Sequence, residues 1–189
     1  MAMNIHQLSV TYQPEHDRVL LRVNTTASQE MRLWLTRRLL LGLWPLLGRT
    51  IDEQLAQQDG GRAGQGGEAR RMLAEMHKAE FMRHADFDTP YKDSPTLPLG
   101  EEPLLVTQID AGTLQGGQLR LGFLERIPGA GKERSFQMEM APALAQGLAH
   151  LLDQALAQSG WREAFAPPPG LEEPGRPEET EPTRPRYLN

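Results

Sequence analysis

Two stretches of this chain, residues 31–52 and 136–157, carry the same pattern of apolar side chains at an offset of 105 residues. In each stretch the apolar residues first recur at every second position and then at every third or fourth position. That change of period is typical of a strand that runs directly into a helix. The matched pairs are Leu35 with Met140, Leu39 with Leu144, Gly42 with Gly147, Leu43 with Leu148 and Leu47 with Leu152, among others. The repetition predicts a pseudo-symmetric scaffold made of two similar units.

Residues 1–58 are predicted to form the first unit, a meander of three antiparallel strands followed by a helix. Short polar turns separate runs in which apolar and polar side chains alternate, as in strands with one buried face. These runs are Ile5 to Tyr12, Arg18 to Asn24 and Met31 to Leu35. The helix begins near Thr36, and Pro45 is expected to kink or break it. Leucines and Trp44 make this helix apolar nearly all round, which predicts burial on several sides.

Residues 101–165 repeat this plan as the second unit. Its strands are predicted at 104–109, 119–123 and 136–140, and Pro142 is well placed as the first residue of the closing helix. Leu148 lies on the apolar stripe of that helix and is predicted to be buried. Trp161 and Phe165 are predicted to pack at the end of the helix.

The remaining segments are an insertion and a tail. Residues 59–100 are predicted to contain a Gly-rich linker, a helix over 68–87 with Met72, Met76 and Phe81 on its apolar side, and a Pro-rich crossing. Residues 166–189 are rich in proline and glutamate, have no core-forming pattern and are predicted to be disordered.

The predicted fold class is therefore α+β: an internal duplication of a three-strand meander followed by a helix, with a helical insertion and a disordered Pro/Glu-rich C-terminal tail. In topology, such tandem repeats resemble the PUR-repeat and Whirly classes of nucleic-acid-binding proteins. Members of those classes carry four strands per repeat, where three are predicted here. The resemblance implies a fold and carries no site residue to this chain.

Sequence motifs for catalysis or cofactor binding are absent. The chain has no cysteine, which excludes disulfides and thiolate chemistry and fits a reducing compartment. It has no serine-nucleophile elbow and no phosphate-binding P-loop. The weak metal candidates are His77, Glu80 and His84, which share one helix face but lack a fourth ligand, so a solvated polar face is the preferred interpretation. We expect a protein without a cofactor that is not an enzyme.

Charge and hydropathy also predict where the protein resides and which ligands it does not bind. The longest apolar run, Leu39 to Leu47, is far shorter than the ~20 residues that span a bilayer, and the N-terminus has no signal-peptide pattern. A bacterial cytoplasmic protein without membrane contact is the expectation. The formal net charge of −5 argues against duplex DNA as a ligand.

One predicted surface combines arginines with large apolar groups, namely the outer face of the first meander. It would present Arg18, Leu20, Arg22, Arg32 and Trp34 beside Gln7, Ser9 and Thr11. Arginines near an exposed aromatic ring suit the phosphates and bases of single-stranded nucleic acid. Leu20 together with Trp34 instead indicates a face covered by protein, either a second copy of the chain or another partner. The sequence therefore favours a non-enzymatic interaction or assembly module that forms a homo-oligomer, binds another protein, or both. Single-stranded nucleic-acid binding is the alternative.

Overall fold

The structure is a computed structural model, and it describes residues 4–58, 89–114, 117–129 and 132–162. For residues 52–58 it describes the backbone alone. Nine further residues are described individually: Glu68, Met72, Glu75, Met76, Ala79, Phe81, Arg83, Ala85 and Asp86.

Each half of the chain forms an antiparallel meander that leads into a helix. The first half contains β1 (Ile5–Gln13), a 3₁₀ turn (Pro14–His16), β2 (Arg18–Thr25), β3 (Glu30–Thr36) and α1 (Arg37–Gln58). The second half contains β4 (Leu104–Leu105), β5 (Gln108–Thr113), β6 (Leu119–Glu125), β7 (Arg134–Met140) and α2 (Pro142–Ser159). Both strand-to-helix transitions occur where the sequence predicts them, and the α+β class is confirmed.

The strands form two sheets, in the orders β1-β2-β3-β4 and β5-β6-β7. The predicted single strand at 104–109 is divided between them, because β4 pairs in parallel with β3 and β5 pairs antiparallel with β6. The change of partner occurs between Val106 and Thr107. The Val106 N–H donates to the Trp34 carbonyl oxygen at 3.0 Å, whereas the Thr107 N–H donates to the Leu124 carbonyl oxygen at 2.8 Å. Alternation of side chains gives the strand conformation but does not reveal such a change of pairing partner.

The core lies between the inner faces of the two sheets and the two helices. Side chains at alternate positions of the strands point into it, as the sequence pattern predicts. These are Val19, Leu21, Val23, Met31, Leu33 and Leu35 in the first sheet and Leu119, Leu121, Phe123, Phe136, Met138 and Met140 in the second. On α2, Leu148 is 1% exposed, which confirms its predicted burial.

Helices α1 and α2 pack against each other, and each also packs against the sheet of the other half. Helix α2 contacts β1 and α1 in addition to β7, while α1 contacts β5 in addition to β3. The two halves of the chain therefore share one core.

Over residues 37–51, helix α1 packs one broad face against the core and exposes the other. Leu40, Leu43 and Leu47 are buried, and Leu39, Leu41 and Trp44 pack half-buried against the same core. Leu46 is 42% exposed, so the predicted burial does not extend all round the helix. The helix also continues through Pro45 without a break. Pro45 lies on the exposed side, where water can bind the carbonyl oxygen that proline leaves without a donor.

Trp161 is buried at the end of α2, as predicted, and is 2% exposed. Its indole N–H donates to the Asp17 carboxylate at 2.8 Å, and its ring meets that of Tyr12 edge-on at 5.6 Å. This contact fastens the end of α2 to the turn between β1 and β2. Phe165 and the predicted tail lie outside the described residues.

The described residues from Glu68 to Arg83 are all helical, in agreement with the predicted insertion helix. Phe81 lies close to Gly147 of α2: a Cβ atom at that glycine would be 3.3 Å from the Phe81 ring. Met72 and Met76 are 67% and 65% exposed, so this part of the predicted apolar side does not reach the core.

Candidate interaction face

The five candidate residues of the first meander lie together on the outer face of the first sheet. In the register of β2 and β3, Leu20 is opposite Trp34 and Arg22 is opposite Arg32, with Arg18 next along β2. All five side chains are half-buried. The structure thus brings these five residues together on one surface, as the sequence predicts.

One end of this face is covered by the chain itself. Residues 89–103, here called the crossing segment, run over the ends of β1, β2 and β3. The Gln7 amide accepts from the Lys92 N–H at 3.1 Å and donates to the Pro90 carbonyl oxygen at 3.3 Å. The Asn24 amide donates to the Lys92 carbonyl oxygen at 2.9 Å. These side-chain amides satisfy backbone groups of a segment that belongs to neither sheet over this length.

A buried carboxylate joins the crossing segment to the arginines of the face. The Glu30 side chain is fully buried and accepts from Arg22 Nη2 at 2.9 Å, Arg32 Nε at 2.6 Å and the Ser94 N–H at 3.1 Å. Asp93 of the crossing segment also pairs with Arg22. The Arg22 guanidinium lies 4.3 Å from the centre of the Tyr91 ring, which adds a cation–π contact. Two arginines proposed from the sequence to contact a ligand are therefore already bound to carboxylates.

The electrostatics of this cluster follow from its contacts. Burial raises the pKa of Glu30, but hydrogen bonds from Arg32, the Ser94 N–H and Arg22 outweigh burial and hold the pKa below its ordinary value. The hydrogen bond from Arg22 likewise lowers the pKa of Asp93. Burial raises the pKa of the Tyr91 hydroxyl, so Tyr91 stays neutral beside the ion pairs. The two carboxylates and the two arginines of the cluster are therefore charged at neutral pH.

A second buried cluster fastens the other end of the crossing segment to the second sheet. Glu125 accepts from Arg134 Nη2 and from the Leu105 N–H, both at 2.8 Å. Arg134 also donates to the carbonyl oxygens of Leu99 at 2.9 Å and Glu102 at 3.0 Å. The hydrogen bond from Arg134 is the main cause of a lowered pKa at Glu125.

We expect stability to fall in acid because of these two carboxylates. Each has a folded-state pKa below its ordinary value of 4.5. Their contribution is therefore complete above pH 4.5 and is lost as the pH falls below that value and through the folded-state pKa. Melting temperatures measured by circular dichroism from neutral to acidic pH should decline less steeply for Glu30→Gln and Glu125→Gln than for the wild type. Parallel curves for the wild type and both variants would contradict this prediction.

At the other end of the face, beyond the crossing segment, Leu20 and Trp34 form a cross-strand pair. The His16 ring lies 5.3 Å from the Trp34 ring, measured between centroids. Arg18 and Arg32 stand on either side of the pair, and Arg18 makes no ion pair with any residue that the structure describes. We call Leu20, Trp34, Arg18 and Arg32 the Leu20–Trp34 patch.

The second sheet offers an internal comparison for this patch. The offset of 105 residues places Glu139 at the position of Trp34, in each case three residues before the first residue of a helix. Glu139 is paired across the hairpin with Arg120, as Trp34 is with Leu20. Arg120 and Glu139 form an ion pair at 3.4 Å, and their side chains are 46% and 40% exposed. A solvated charged pair in the second half thus takes the place of an apolar pair in the first.

No protein-family model, curated protein or solved structure matches the chain.

Other site types find little support in the described part of the chain. His77, Glu80 and His84 lie outside the described residues, and the described residues contain no group of three or more His, Asp or Glu side chains arranged to hold a metal ion. Within the same part of the chain, no helix has both the length and the apolar character that crossing a bilayer requires.

Sequence reasoning missed Glu30, Tyr91 and Asp93. One local signal was present, since Glu30 shares a strand face with Arg32 two residues later, a spacing that permits an ion pair. The crossing segment left no such signal, because its contacts with the first sheet join residues more than 60 positions apart, as from Glu30 to Ser94.

Proposed function

We propose that this protein is a non-enzymatic interaction or assembly module that binds a protein surface through the Leu20–Trp34 patch. The observation that carries the proposal is the contrast with Arg120 and Glu139. In the second half, this position of the hairpin holds a charged pair whose side chains are 46% and 40% exposed. In the first half the same position holds leucine and tryptophan, side chains that favour burial at an interface.

Tryptophan is a frequent energetic centre of protein interfaces, where truncation of such a residue costs about 2 kcal/mol or more. The surroundings of Trp34 fit that role. Arg18 and Arg32 supply a polar rim, and the backbone beneath the ring is fixed by pairing with both β2 and β4. A rigid aromatic anchor inside a charged rim is a common arrangement of interface hot spots.

Single-stranded nucleic acid remains the alternative ligand, but the charges favour protein. Arg22 and Arg32 are engaged by Glu30 and Asp93, so three arginines are offset by two carboxylates. A net charge of about +1 on the face is small beside the several phosphate contacts that such binders use. Trp34 and His16 provide the stacking surface on which the alternative rests.

We also propose that the two halves derive from duplication of one ancestral unit. We propose further that the protein acts in the cytoplasm, either as a homo-oligomer or together with another protein. The common offset of 105 residues between the two strand-to-helix transitions supports duplication. The absence of cysteine supports a reducing compartment.

Site-specific photo-cross-linking in cells that express the protein tests the proposed function. The photoreactive residue p-benzoylphenylalanine would replace Thr11, an exposed residue opposite Leu20 in β1 that leaves the patch intact. We expect cross-links to protein, and we expect them to disappear when Leu20→Arg and Trp34→Glu are added, because these changes copy the charged pair of the second half.

Gln137 provides the matched control, since it is exposed on the outer face of the second sheet beside Arg120 and Glu139. The photoreactive residue at Gln137 should give few adducts. Two results would overturn the proposal. One is that adducts from position 11 contain nucleic acid and no protein. The other is that protein adducts are unchanged by Leu20→Arg and Trp34→Glu.

A further inference from the structure

We propose that the partner segment at the Leu20–Trp34 patch is an extended acidic peptide, with an aromatic or large aliphatic anchor and a carboxylate two residues to either side of it. This inference rests on the proposed function and specifies the partner. Three features support it: the way the face already binds the crossing segment, the spacing of its arginines and its charge.

The crossing segment is itself an extended peptide bound to this sheet face. Its Tyr91 ring lies against the guanidinium of Arg22, and its Asp93 carboxylate pairs with the same group. Its backbone is held by the amides of Gln7 and Asn24. The face thus binds an extended segment through aromatic–arginine contact, carboxylate–guanidinium pairing and hydrogen bonds to the backbone. The Leu20–Trp34 patch offers two further guanidinium groups, those of Arg18 and Arg32, for the first two kinds of contact.

The arginines of the patch have the spacing of an extended chain. Arg18 precedes Leu20 by two residues on β2, and Arg32 precedes Trp34 by two on β3. Because β2 and β3 are antiparallel and Leu20 is opposite Trp34, the two arginines lie at opposite ends of the apolar pair. Two residues of a strand rise about 6.6–6.8 Å, and the same rise separates alternate side chains of an extended peptide. An anchor on Leu20 and Trp34 therefore places carboxylates at positions two before and two after it near the two arginines.

Charge complementarity favours an acidic peptide over a basic or neutral one. Arg18 has no ion-pair partner among the described residues, while Arg32 donates to Glu30 through Nε and its side chain remains 32% exposed. Arginine has five N–H donors in a planar fork, so Arg32 can bind a second carboxylate. The face carries this basic character in a chain whose net charge is −5.

Selection from a phage-displayed library of random nonapeptides tests the inference. The wild-type protein would be the target, and the folded double variant Leu20→Arg, Trp34→Glu would remove peptides that bind elsewhere. We expect an enriched consensus with aspartate or glutamate two positions before and after an aromatic or large aliphatic residue. A consensus without flanking acids, or no enrichment, would overturn the inference.

Binding of the selected peptide would then be measured by fluorescence anisotropy. We expect affinity to fall about tenfold or more for Arg18→Glu and to remain unchanged for the control Arg120→Ala on the second sheet. Arg18→Glu also replaces the double variant if the double variant does not fold. Unchanged affinity in Arg18→Glu would contradict the proposed spacing. Two outcomes would overturn only this inference and leave the proposed function standing. In both, protein cross-links form from position 11 and depend on Trp34. In the first, the selected consensus is not acidic; in the second, the cross-linked partner is a second copy of the chain.

Discussion

Replacement of Leu148 by alanine should lower the free energy of unfolding by about 2–5 kcal/mol, the range for truncation of a buried leucine. Leu148 is 1% exposed on α2, the helix that contacts β1 of the first sheet, β7 of the second sheet and α1. The cavity would therefore form in the core that both halves share. Urea unfolding followed by circular dichroism measures the change.

Leu46→Ala is the matched control, because it removes the same atoms from a leucine that is 42% exposed on α1. We expect that variant to lose less than about 1 kcal/mol. If Leu148→Ala and Leu46→Ala were equally mild, the helix face that packs on β1 would have been assigned wrongly.

Replacement of Glu30 by alanine should cost about 3 kcal/mol, near the lower end of the range for breaking a buried ion pair. The change leaves Arg22 and Arg32 without their shared carboxylate and the Ser94 N–H without its acceptor. Because the two arginine side chains are 22% and 32% exposed, water offsets part of the loss. Chemical denaturation gives the free energy, and Glu30→Gln separates the loss of charge from the loss of volume.

Asp93→Ala serves as the comparison, since Asp93 binds the same Arg22 but is 78% exposed. Exposed ion pairs contribute about 0–1 kcal/mol, so we expect a small effect. Equal costs for Glu30→Ala and Asp93→Ala would show that Glu30 is not the buried link between the first sheet and the crossing segment.

The outer face of the first sheet illustrates how far the sequence leads toward a site. Alternation along β2 and β3 places Arg18, Leu20, Arg22, Arg32 and Trp34 on one face, and the structure agrees. Alternation does not show which of these groups are already bound within the chain. Arg22 is engaged by Glu30 and Asp93, the latter 71 positions away, so only the folded chain shows that Arg22 belongs to the cluster under the crossing segment and not to the Leu20–Trp34 patch.

The sequence by itself determined the local elements, because strand and helix follow from the period of apolar side chains within a dozen residues. It therefore predicted both meanders, both strand-to-helix transitions and the buried Leu148 and Trp161. Tertiary structure alone decided which elements pair and pack, since those contacts depend on residues far apart in the chain. It divided 104–113 between two sheets, packed each helix on the sheet of the other half and buried Glu30 beneath the crossing segment. A buried charge needs several partners at once, and no local pattern brings Arg22, Arg32 and Ser94 to one carboxylate.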